Sequence, residues 1–144
     1  MRYITDSIDV RADDSVFDDV IEFIVERAAR AGLSNEEQKQ MRLAAEELFG
    51  NIIDHAYEDT GDVTVSAGQD DAGTAFVMSF CDHGVPFDPT AVSAPKAAES
   101  IKDLKVGGLG IFLAGELTDE MTYRYDGGNI LTAVKYIKRQ ENRS

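Results

Sequence analysis

The chain has 144 residues, 43% of them hydrophobic, with a formal net charge of −13 and a single cysteine. That is one domain's length with enough apolar content for a core, which argues against a disordered chain. So acidic a field repels nucleic acid and anionic lipid, and Cys81 has no partner within the chain for a disulfide.

Residues 2–10 alternate weakly, with Tyr3, Ile4, Ile8 and Val10 among polar neighbours, and predict a strand. Asp13, Asp14 and Ser15 offer helix caps, and Val16, Val20, Phe23, Ile24 and Arg27 follow with helical spacing until Gly32. Ser34 and Glu37 form a capping-box pattern that opens a second helix running to about Tyr57. Val63, Val65 and Ala67 alternate with Thr64 and Ser66, so this strand buries one face. A turn over residues 69–73 leads to a second run, Thr74 to Cys81, whose continuous apolar character places it nearer the sheet's centre. Residues 90–107 are poor in large apolar groups and predict a lid or binding loop. Ile111 to Leu117 predicts a third helix. Thr118 to Tyr125 and Asn129 to Ile137 predict two strands joined by Asp126-Gly127-Gly128, a hairpin signal. A polar tail, Lys138 to Ser144, follows. The order β-α-α-β-β-lid-α-β-β predicts one α+β unit over 1–144. It is a two-layer sandwich whose mixed, mostly antiparallel sheet of about five strands is covered on one face by three helices. No apolar run approaches the roughly 20 residues that span a bilayer, and the first residues lack a signal-like apolar stretch, so a cytoplasmic protein is expected.

Three clusters carry chemistry. On the second helix Glu47, Asn51, Asp54 and His55 share one side, with no lysine or arginine among them. An ordinary solvated face mixes charges; this one joins acids, an amide and an imidazole. An amide oxygen can ligate Mg²⁺, and a carboxylate one turn away can orient or deprotonate a hydroxyl. The second cluster is Asp82-x-Gly84 at a strand end. A carboxylate there can accept from an exocyclic amino group such as adenine N6, and a glycine lets the backbone approach a flat base. The same residues also suit a plain strand-ending turn. The third cluster is Gly107-Gly108-Leu109-Gly110 opening a helix, where backbone N–H groups and the helix dipole favour phosphate. It equally suits a hinge. Lys96, Lys102 and Lys105 precede it, as cations for outer phosphates or as solubilising charge.

In this order and spacing the clusters resemble the ATP-binding domain shared by gyrase-type topoisomerases, heat-shock chaperones, histidine kinases and mismatch-repair ATPases (the Bergerat fold). The nearest likeness is to the anti-sigma factor serine/threonine kinases. It rests on Glu47-Leu48-Phe49-Gly50-Asn51-Ile52-Ile53-Asp54-His55-Ala56-Tyr57, on Asp82-His83-Gly84-Val85-Pro86-Phe87-Asp88-Pro89 and on Gly107-Gly108-Leu109-Gly110-Ile111-Phe112-Leu113, followed by Leu117-Thr118-Asp119-Glu120 and Asn129-Ile130-Leu131. The resemblance implies ATP and Mg²⁺ as cofactors, with Asn51 on the metal and Glu47 as general base or water-positioning carboxylate. Asp82 would read adenine N6 with Gly84 under the base, and Gly108 and Gly110 would hold phosphate. Asp54, His55, Lys105, Gly107 and Leu109 fall among the implied nucleotide-binding positions. Pro86 departs from the wider pattern, which often has a second glycine there, and a proline removes that N–H. The implied function is ATP-dependent phosphorylation of an anti-sigma factor antagonist, a STAS-type protein, alternating with capture of a sigma factor or other target. A homodimer is implied as well. The alternative is a nucleotide-gated binding module without phosphoryl transfer.

Overall fold

The computed structural model describes residues 3–55, 61–86, 88 and 108–137. Five strands, β1 (Tyr3–Arg11), β2 (Asp62–Asp70), β3 (Ala75–Asp82), β4 (Glu120–Tyr125) and β5 (Asn129–Tyr136), form one sheet in the order β1-β2-β3-β5-β4. Every pairing is antiparallel, so the mixed sheet allowed by the sequence resolves to its antiparallel form. The strand with the most continuous apolar run, β3, is indeed central. Helices α1 (Phe17–Ala31), α2 (Asn35–His55) and α3 (Gly108–Leu117) complete the two-layer α+β fold.

Local chemistry sets the helix ends. Ser15 N–H donates to Asp13 Oδ1 at 2.9 Å ahead of α1, and Gly32 closes α1 with φ at 98°. The capping box of α2 is complete. Ser34 N–H donates to Glu37 Oε1 at 2.8 Å, and Glu37 N–H donates to Ser34 Oγ at 3.1 Å. The third helix begins at Gly108 rather than Ile111, since Gly108, Leu109 and Gly110 already form its first turn. At its other end Thr118 is not yet strand. Its hydroxyl donates to Ala114 O at 3.1 Å, and β4 starts only at Glu120. Lys135, buried on β5, donates from Nζ to Leu117 O at 3.1 Å and so ties the last turn of α3 to the sheet.

The core lies between sheet and helices. Met41, Ala45, Leu48 and Ile52 of α2 are buried there, as their spacing predicts, against Val63 and Val65 of β2 and Phe76, Met78 and Phe80 of β3. Phe49 stacks over Phe80 with ring centroids 6.4 Å apart. Each such ring or branched side chain contributes about 1.5–3 kcal/mol through burial. The opposite sheet face carries a row of short hydroxyl side chains in register across all five strands: Ser7, Ser66, Ser79, Thr132 and Thr122. Ser7 and Ser66 hydrogen bond at 2.7 Å. A small apolar cluster, Ala75, Val77 and Val134, sits beside that row.

Asp70 closes the β2–β3 turn, which the sequence reads only as polar. The carboxylate is buried and accepts from Thr74 Oγ1, from Thr74 N–H at 2.6 Å and from Ala75 N–H at 3.0 Å. The Thr74 hydroxyl above all, helped by the two N–H groups, holds the carboxyl below its ordinary value of 3.8. A group depressed on folding stabilises above its unfolded pKa, and that contribution is lost as pH falls through the folded value. Denaturation midpoints of wild type should therefore exceed those of Asp70→Asn by a constant margin from pH 7 to about pH 5, and the margin should shrink below about pH 4. A margin independent of pH would contradict this.

Candidate functional site

All three sequence clusters reach the helix-covered side of the sheet. On α2, burial of Leu48, Phe49 and Ile52 fixes how the helix is rotated. That rotation leaves Glu47 and Asn51 half-buried at the rim of the core and Asp54 exposed. His55 is the last residue of α2, and its side chain lies outside the described residues.

The first turn of α3 packs on this rim. A methyl group placed on Gly110 would fall 3.0 Å from Glu47 Cδ and nearer still to Glu47 Oε2. Only glycine at this position lets the carboxylate sit against the start of α3. The general base implied by one motif and the glycine turn of another are thus in contact, though far apart in the chain. Gly108 and Leu109 lie in the same turn, with their surroundings outside the described residues. Gly107, Lys96, Lys102, Lys105 and the predicted lid at 90–107 also lie outside them.

At the end of β3, Asp82 is 5% exposed. Its Oδ1 accepts from Gly84 N–H at 2.8 Å and from Asn129 Nδ2 at 2.9 Å. Asn129 Nδ2 also donates to Val85 O at 2.8 Å, and the Tyr123 hydroxyl donates to Asn129 Oδ1. The β4–β5 hairpin passes close to this segment. A Cβ on Gly128 would stand 2.5 Å from Asp82 O and 3.1 Å from His83 Nδ1. His83 itself is exposed, with Nδ1 3.3 Å from Gly127 O, as fits a turn residue. Val85 and Pro86 are exposed beyond it. Cys81 next door is half-buried, and its thiol is pushed up, first by burial and then by Asp82, with Arg124 opposing.

The donor set fits a metal-bound nucleotide. Among the described residues no group of three or more His, Cys, Asp or Glu forms a metal cage. Mg²⁺ seldom needs one, because it keeps waters and takes phosphate oxygens, so a single amide oxygen at the rim, that of Asn51, suffices. Gly110 is bare backbone in the first turn of α3, a feature that suits a phosphate.

Asn129 and Tyr123 receive no role from the sequence. Asn129 follows a Gly-Gly turn and reads as the first residue of a strand. Only the pairing of β3 with β5 sets it opposite Asp82. Asn129 stands in one of the stretches that carry the family resemblance, but no role came with it; the further signal was chemical, since asparagine is depleted in strands and a buried one needs partners.

Comparison with known proteins agrees with this fold. Residues 10–135 match the histidine kinase-like ATPase domain family. The chain is similar to the serine-protein kinase RsbW of Halalkalibacterium halodurans, 30% identical over 118 residues, covering 79% of this chain and 72% of the relative. It is 29% identical over 119 residues to the RsbW of Bacillus cereus strain G9842, covering 79% and 73%. A crystal structure of the RsbU and RsbW domains of Rv1364c from Mycobacterium tuberculosis superposes with a TM-score of 0.66 at 18% identity. That match covers 95% of this chain and 33% of the other, and at such identity it concerns the fold.

Proposed function

We propose, because this chain belongs to the histidine kinase-like ATPase domain family, that it is a protein serine/threonine kinase that uses ATP. It would phosphorylate a small STAS-type anti-sigma factor antagonist and alternately hold a sigma factor or another regulatory target. The observation that supports this reading best is the Glu47 carboxylate lying against Gly110, at a glycine-rich helix start of the kind that suits phosphate.

In this reading each residue has a task. Asp82 accepts from the 6-amino group of adenine, and Gly84 brings the backbone close to the base. The first turn of α3, Gly108 to Gly110, receives phosphate oxygens through its N–H groups. Gly107, Leu109 and Lys105 border the same phosphates, and Asp54 and His55 support the α2 side. Asn51 would hold Mg²⁺, which would neutralise phosphate charge. Glu47 takes the proton of the incoming serine or threonine hydroxyl while that oxygen attacks the terminal phosphorus. The bond to the leaving oxygen breaks as the new one forms. Such transfer needs mostly positioning and charge neutralisation, so a site of few residues is adequate.

The same reading makes the protein a cytoplasmic homodimer. Among the described residues no helix is long and apolar enough to cross a membrane. Incubation with Mg·[γ-³²P]ATP and a candidate STAS-type antagonist should place label on one serine or threonine of the antagonist. Nucleotide binding without any labelled antagonist would overturn the kinase and leave a nucleotide-gated binding module.

A further inference from the structure

We propose that Asn129 and Tyr123 are positioning residues for purine recognition: a directed relay from the Tyr123 hydroxyl through Asn129 fixes the plane of the Asp82 carboxylate. The inference rests on the reading of Asp82 given above, and it assigns to two further residues the selectivity of that site.

The register makes the relay possible. Asp82 on β3 and Asn129 on β5 are direct cross-strand partners, and Asn129 in turn pairs with Tyr125 on β4. Tyr123 lies two residues from Tyr125 on β4, so its ring reaches diagonally toward Asn129 on the same sheet face. Asp82 is 5% exposed and Asn129 7%, so their bonds act where water competes little.

The amide of Asn129 has one sensible orientation. Around one end stand three acceptors: Asp82 Oδ1 at 2.9 Å, Val85 O at 2.8 Å and Gly84 O at 3.4 Å. Only the NH₂ end can face them. Oδ1 must then face the Tyr123 hydroxyl, and that hydroxyl must donate. Rotating the amide by half a turn would set its oxygen against all three of those acceptors, although the Tyr123 hydroxyl could then accept from the NH₂ group. The three acceptors therefore set the direction of the relay, and the Tyr123 hydroxyl, donating to Oδ1, steadies it.

The consequence for Asp82 is geometric. Its Oδ1 is held by two donors, Gly84 N–H and Asn129 Nδ2, which fixes the carboxylate plane before any ligand arrives. None of these bonds uses Oδ2, which is left to meet a ligand. A 6-amino purine donates to that oxygen. A 6-oxo purine opposes it with a lone pair, and a locked carboxylate cannot turn aside to relieve the conflict. A freely rotating one could. The relay should thus govern discrimination between amino and oxo purines more than affinity as such. Asn129 also grips Val85 O, so one side chain holds both the acid and the turn that carries Gly84.

The test is calorimetric titration of ADP and IDP, which differ at the purine 6-position, into wild type, Asn129→Ala, Tyr123→Phe and Asp82→Ala. The ratio of the IDP to the ADP dissociation constant should fall about tenfold in Asn129→Ala and about threefold in Tyr123→Phe. Tyr123→Phe keeps the ring and its packing, so it reports even if Asn129→Ala folds poorly. A merely structural role would weaken both nucleotides in proportion and leave the ratio where it was; that result overturns the relay. Asp82→Ala separates the two levels. If it collapses the ratio while the other two variants do not, Asp82 reads the base without help. If Asp82→Ala leaves the ratio unchanged, the reading of Asp82 fails as well.

Discussion

Glu47→Gln should bind ADP as wild type does and transfer phosphate more slowly by about 10²–10⁴-fold. The substitution keeps the shape of the side chain, so the contact with Gly110 survives and α3 keeps its seat. What is removed is the ability to take a proton from the attacking hydroxyl. A companion, Gly110→Ala, does the reverse. Its methyl group would occupy the space of the Glu47 carboxylate and force it off the first turn of α3. That variant should lose nucleotide affinity and transfer together. Single-turnover transfer measured beside ADP calorimetry distinguishes the pair. Wild-type transfer by Glu47→Gln would remove Glu47 from the chemistry, whatever its position.

Gly68→Ala should lower the melting temperature by about 5–10 °C, corresponding to roughly 2–3 kcal/mol of overpacking. Gly68 on β2 pairs with Thr5 on β1. A Cβ there would lie 2.7 Å from Thr5 Cα and 3.0 Å from Ile4 C, and would overlap the Ile4 carbonyl oxygen. These are backbone atoms, so no rotamer change relieves the clash. The edge strand β1 must shift or separate. Ile8 and Val10 would then leave the core margin, and Arg27 would lose Asp6, which it meets at 3.1 Å. Thermal unfolding by circular dichroism reads the effect. A melting temperature within a degree of wild type would mean that β1 is held more loosely than its pairing implies.

The contrast between these sites shows what a sequence can disclose. Features that depend on neighbours in the chain were legible. The capping box of Ser34 and Glu37, the stop at Gly32 and the hairpin at Gly127 are local geometries with local signatures. The buried stripe of α2 and the central place of β3 follow from periodicity and hydrophobicity. Residue types at three separated positions also pointed to one nucleotide site, and the structure sets Glu47 against Gly110. The order β3-β5-β4 was not legible, because nothing near Asn129 states which strand it will face. With it went the Asp82–Asn129–Tyr123 network. Asp70 escaped for a similar reason. Its neighbours spell a polar turn, and only the fold buries it beneath two N–H groups and a hydroxyl.

The hold of Lys135 on the last carbonyl of α3 makes that helix a lever with a fixed heel. Ten residues of α-helix measure about 15 Å, so a tilt of about 10° around the heel would sweep its glycine toe through roughly 2.6 Å. That distance is about the length of a hydrogen bond. A small disturbance at β5, where Lys135 stands, would therefore reach, enlarged, the place where Gly110 meets Glu47.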